Sequence, residues 1–181
     1  LIGELSLRAS HELKGFKSAV GRFFTVYGPR GLENHAVIAM IARAYIGQDP
    51  YTVWGDGTQI RNWTHVSDIV RGIMLAMEKI EDGTAVNLGT EEATTVKDCA
   101  MRALWWFGRT ETEIEYDTSK PVGPLRRVAD GSLAKELLGW APEFSFERGF
   151  DNTADWYSRK DPDLVRRILE RGGDIERKVK A

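Results

Sequence analysis

The chain predicts an α/β protein, and two patterns in its 181 residues carry the prediction. Apolar residues recur at helical spacing in several windows, and between the windows lie short apolar or β-branched runs closed by turn residues. With 42% hydrophobic residues the chain can bury one sizeable core, which makes it one domain or a large part of one.

Ile2, Leu5, Ala9 and Leu13 mark a first helix that Gly15 ends. Ser18 to Tyr27 reads as a strand closed by the Gly-Pro-Arg-Gly run at 28–31. Val37, Ile38, Ile41, Ala42 and Tyr45 give a second helix, with Asn34 placed to cap it. Tyr51 to Trp54 is a short strand, and Asp56-Gly57 a turn. Val66, Ile69, Val70, Ile73, Met74 and Met77 form a strong apolar stripe whose helix Asp68 enters as an N-terminal capping acid. Ala85 to Leu88 reads as a buried strand. Thr95 and Asp98 form a T-x-x-D capping pattern before the Val96, Cys99, Ala103 and Phe107 helix. Further helices are predicted from Ser132, over Phe146 to Arg159, and over Leu164 to Arg171 after the Asp161-Pro162 start signal.

Composition narrows the function classes. The 25 Lys and Arg are matched by 27 Asp and Glu and form no basic run, so no nucleic-acid or anionic-membrane partner is expected. A single cysteine excludes an internal disulfide, and three scattered histidines offer no metal-site spacing. No apolar run approaches the roughly 18 residues of a membrane span. A cytoplasmic, metal-free protein is the expectation. The chain opens at Leu1, already inside a helical pattern, which predicts a truncated chain.

Two stretches carry more than fold: Arg22 to Gly31, RFFTVYGPRG, and Trp54 to Val70, WGDGTQIRNWTHVSDIV. With the opening LIGELSLRA and the closing VADGSLAKELLGWAPEFSFERGFDNTADWY, they resemble, in order, the C-terminal half of an NAD-dependent epimerase/dehydratase, an extended short-chain dehydrogenase/reductase. The resemblance implies the last part of a Rossmann-like NAD(P)-binding fold interleaved with a smaller substrate-binding subdomain over residues 1–159. Residues 160–181 are left as a charged, solvated helical tail. It also implies a homodimeric whole enzyme that uses NAD or NADP to oxidise a nucleotide-diphosphate sugar transiently. Leu1 then falls just past the family's active-site lysine, with its tyrosine and a glycine-rich pyrophosphate turn expected farther upstream.

No catalytic residue is assigned within the chain. The one Y-x-x-x-K match, Tyr116 to Lys120, runs into Pro121, and a residue before proline is pushed out of helical geometry. Gly55 and Gly57 open a G-x-G, but Ile60 stands where a third glycine is needed.

The substrate contacts implied by the resemblance are Arg61 on the diphosphate, since a planar fork of donors suits phosphate oxygens, and Thr25 on the sugar, with a β-branched residue chosen for the strand as the alternative reading of Thr25. A surface ion pair with Asp56 or Asp68 is the competing reading for Arg61. A second phosphate arginine is either Arg126 or Arg127, with Arg126 preferred. Val53, in the strand whose backbone meets the base in relatives, is the remaining substrate residue. Phe23 and Phe24 are placed near the nicotinamide, with core packing as the alternative. Trp105, Trp106 and Trp140 read as packing. The function expected is the substrate-binding half of a nucleotide-sugar epimerase or dehydratase. The alternative is a free-standing, non-catalytic nucleotide-sugar-binding or regulatory module.

Overall fold

The computed structural model of the protein describes residues 1–179. Its elements are α1 (Ile2–Lys14), β1 (Ser18–Phe23), β2 (Thr25–Tyr27), α2 (Ala36–Ile46), β3 (Tyr51–Trp54), β4 (Ile60–Arg61), β5 (Trp63–His65) and α3 (Val66–Lys79). They continue with β6 (Asp82–Leu88), β7 (Thr94–Thr95), α4 (Val96–Trp106), β8 (Ile114–Asp117), β9 (Arg126–Arg127), α5 (Ser132–Leu138), α6 (Phe146–Tyr157) and α7 (Pro162–Val179). The chain folds into two interleaved units: residues 1–26, 61–93 and 127–146 form the first, and the remainder the second.

In the first unit, β1 and β6 pair in parallel, with Arg22 opposite Asn87 and Phe23 opposite Leu88. Helix α1 lies against β6, and α3 against β1. The core is made by Ile69, Ala76, Ile80, Val86, Leu88, Ala134, Leu138 and Trp140. Here an indole is tolerated in the interior because its Nε1 donates to the Asp68 carbonyl at 3.0 Å. Gly72 is the close-approach point of α3, since a Cβ there would lie 2.8 Å from Leu88.

Several expectations change in this unit. The strand expected from Ser18 to Tyr27 breaks at Phe24, because β1 pairs with β6 whereas β2 pairs with β5. The stripe of α3 divides: Ile69 is buried, but Val70, Met74 and Met77 are 54%, 52% and 69% exposed. Asp68 does not cap its own helix. The cap is His65, whose Nδ1 accepts from Ser67 N at 3.4 Å, and the Asp68 carboxylate instead accepts from Glu143 N and Phe144 N at 2.8 and 3.0 Å. On α1, no residue is buried, and Ile2 and Leu13 are each 81% exposed. A helix with one apolar face in water, beside a two-stranded parallel sheet, favours association. Light scattering on the 181-residue chain is therefore expected to show self-association; a monodisperse monomer would contradict this.

In the second unit, α2 buries Val37, Ile38, Met40, Ile41, Ala42 and Ala44, and its N-cap is His35, with no side-chain cap, rather than Asn34. Strands β3 and β8 pair in parallel, Val53 opposite Tyr116. Helix α4 carries the expected capping box, Thr95 Oγ1 accepting from Asp98 N at 3.0 Å while Asp98 Oδ2 accepts from Thr95 N at 3.3 Å. The C-terminal segment is more than a solvated tail. Helix α7 packs on α2, and Val165 is fully buried. Residues 180 and 181 of that predicted tail lie outside the described residues.

One ionic knot fastens this unit. Glu33 Oε1 accepts from Lys160 Nζ at 2.7 Å and from Tyr157 Oη at 2.8 Å, while Tyr45 Oη donates to the Lys160 carbonyl at 2.7 Å. Burial alone would push the Glu33 carboxyl up, but the bonds from Lys160 and Tyr157 outweigh it and hold the group below the usual glutamate range. A carboxyl lowered on folding adds stability above its unfolded pKa and loses it as pH falls through the folded one. The Tm advantage of the natural chain over Glu33→Gln is therefore expected to shrink as pH drops through and below the usual glutamate range. An advantage that stays constant into acid would reverse this assignment.

Candidate functional site

Three polar side chains of the first unit come together: Thr25 at the start of β2, Arg61 at the end of β4, and Arg127 at the end of β9. Strand β9 is hydrogen-bonded beside β4, which puts Arg61 and Arg127 on neighbouring strands. Arg127 Nη2 donates to Thr25 Oγ1 at 3.1 Å. Burial first, and the charge of Arg127 second, hold the Arg61 guanidinium below its ordinary pKa. Two like-charged guanidinium groups held near each other, that of Arg61 partly desolvated and that of Arg127 exposed, form a place where an anion is favoured.

Of the two candidate arginines, the structure brings Arg127, not Arg126, to Thr25. Successive residues of a strand point to opposite faces, so only one of the pair can share a face with Thr25. Arg126 is exposed and belongs to the second unit.

The segment between Arg61 and α3 is polar yet buried. Asn62, Thr64, His65 and Asp68 are all 2% exposed or less. Asn62 Nδ2 donates to the Thr90 carbonyl at 3.0 Å, and Thr90 N donates to Thr64 Oγ1 at 3.0 Å. Of these, sequence singles out only Asp68, and as a helix cap; Asn62, Thr64 and His65 are not picked out. The signal available was a run of hydrogen-bonding side chains in a segment otherwise apolar enough to be interior.

Phe23 is 51% exposed at the carboxyl end of β1, the end of a parallel strand where open α/β sheets receive ligands. Phe24 packs instead, its ring 3.3 Å from where a Cβ on Gly89 would stand. Val53 is 1% exposed, and its side chain is core of the second unit. Tyr116 lies on β8 against Gly57, and the Lys120 ammonium sits 4.9 Å from the centre of the Trp54 ring. A strand and a turn do not present those two side chains as one face of a helix would. Trp140 is packed as expected, whereas Trp105 is 58% exposed beneath the Arg102 guanidinium. Among the described residues no helix is long and apolar enough to cross a membrane, and no cluster of His, Cys, Asp and Glu could hold a metal.

The profile of the NAD dependent epimerase/dehydratase family matches residues 1–89. A UDP-glucuronate 4-epimerase of Thermodesulfobacterium geofontis is 32% identical over 165 residues, 91% of this chain and 50% of that protein. The crystal structure of UDP-glucose 4-epimerase from Thermotoga maritima with UDP-glucose superposes with a TM-score of 0.75 at 30% identity, covering 85% of this chain and 50% of that one. The dTDP-glucose 4,6-dehydratase of Bacillus anthracis, in complex with NAD, gives 0.79 at 25% identity, covering 87% and 50%. The chain spans about half the length of the relatives it matches.

Proposed function

Because the chain belongs to the NAD-dependent epimerase/dehydratase family, we propose that it supplies the substrate-holding part of a nucleotide-sugar epimerase or dehydratase. The observation that carries this reading is the convergence of Arg61, Arg127 and Thr25 in one unit. A diphosphate approaching the two arginines relieves their mutual repulsion and offers oxygens to two planar donor forks. Thr25 Oγ1 already accepts from Arg127. Its own O–H can then donate to a sugar oxygen, which would orient the ring beside the bound diphosphate.

The residues present fit only one edge of a dinucleotide. Phe23 offers an exposed ring at a strand's carboxyl end, but the chain has no glycine-rich strand-to-helix turn to take a pyrophosphate. NAD, when bound in the whole protein, would accept and return the hydride of the sugar. This chain's own part is to bind the charged end and fix the sugar's position, which lowers the entropic cost of reaction. In this reading the whole protein is a cytoplasmic homodimer, and the apolar side chains that α1 and α3 leave in water are covered by the rest of it.

The test is calorimetry of UDP against the 181-residue chain at low salt. Saturable binding that weakens as salt is raised supports the reading. Heats no different from buffer dilution would remove it.

A further inference from the structure

Resting on that reading, we propose that the turn Asn87–Glu91 is a positioning element that sets the spacing of Arg61 and Arg127 and so lets the chain select a diphosphate over a monophosphate. The segment begins with the last two residues of β6, of which Leu88 is fully buried and paired with Phe23, so its base is anchored in the core. From there it reaches both arginine-bearing segments. Toward Arg61, the two backbone groups of Thr90 are taken by Asn62 Nδ2 and Thr64 Oγ1, each at 3.0 Å. Toward Arg127, Asn87 Nδ2 donates to the Asp130 carbonyl at 3.0 Å, and Glu91 Oε1 accepts from Gly131 N at 3.2 Å.

Gly89 touches both sides at once. A Cβ there would stand 2.7 Å from Asn62 Nδ2 and 2.8 Å from the Ala129 Cβ, distances that real contacts do not reach. Only a residue without a side chain lets the two segments close on the turn. The need for such ties is electrostatic, because two like charges brought together without an anion push their strands apart. Backbone ties on both sides oppose that splaying before any ligand arrives, so the ordering is not charged against binding. A rigid pair of donors matches two linked phosphates, whereas a single phosphate can satisfy only part of it.

The experiment titrates UDP and UMP separately into the natural chain, Asn87→Ala, Gly89→Ala and Ile80→Val, with urea midpoints recorded for each. The natural chain is expected to prefer UDP by about tenfold or more, the scale of an added charged hydrogen bond. Asn87→Ala and Gly89→Ala should reduce that preference to within about threefold, the loss falling on UDP. Ile80→Val lowers the midpoint through the core but should leave the UDP-to-UMP ratio where it was, which separates positioning from general loosening. If Gly89→Ala does not fold, Asn87→Ala decides, since its side chain is only half-buried at the surface. An unchanged ratio in Asn87→Ala overturns the positioning role and leaves the diphosphate reading standing. A natural chain that binds UDP no better than UMP, or binds neither, overturns that reading and this inference with it.

Discussion

Asp68→Ala is expected to destabilise the chain by about 2–5 kcal/mol, because each buried N–H left without an acceptor costs about 1–3 kcal/mol. The carboxylate is 2% exposed and holds three donors: Glu143 N at 2.8 Å, Phe144 N at 3.0 Å and Arg71 Nη2 at 3.3 Å. Alanine leaves the two backbone N–H groups without their acceptor, while Arg71 keeps the Ala141 carbonyl and the Glu143 carboxylate. The damage spreads, since the same stretch is fastened by the Trp140 indole on the Asp68 carbonyl, by Arg71 donating to the Ala141 carbonyl, and by Phe144 stacked on His65 at 4.2 Å. Asp68→Asn keeps one good acceptor and should cost distinctly less. Urea unfolding followed by tryptophan fluorescence reads both variants, and a shift below about 1 kcal/mol for alanine would mean the carboxylate is replaceable there.

Arg61→Ala and Arg127→Ala should each weaken UDP binding by about 1.5–3 kcal/mol, the range for hydrogen bonds to charged groups. That corresponds to roughly 10- to 150-fold in Kd. The double variant should lose less than the sum, because each arginine raises the energy of the other and removing one relieves its partner. Arg61→Lys retains the charge but not the planar fork and should recover only part of the affinity. Calorimetry checks all four. A Kd for Arg61→Ala within about twofold of the natural chain would take that residue out of the site.

Much of the secondary structure was legible because it rests on local physics. Gly15 stops α1 in the left-handed conformation, at φ 66°, and the Thr95–Asp98 box starts α4 where its spacing says. The candidate site was legible in part. Arg61 and Thr25 stand out because their surrounding motifs resemble those of a known family. The choice between Arg126 and Arg127 did not follow from sequence, because strand alternation assigns faces only once the register against β4 is fixed.

By itself, the sequence determined the α/β class, the order of the helices, the Thr95–Asp98 capping box, and the likeness to the NAD-dependent epimerase/dehydratase family. Tertiary structure alone decided which side chains meet. It broke the predicted Ser18 to Tyr27 strand at Phe24, sent the Asp68 carboxylate 75 residues along the chain to Glu143, and drew Arg127 rather than Arg126 to Thr25. It also left Val70, Met74 and Met77 in water on a helix whose periodicity reads as core. The division has a physical cause. Helix periodicity and capping depend on neighbours within a few residues, whereas the partner of a buried donor, the exposed side of an apolar stripe and the spacing of two cations depend on strand pairing across long separations.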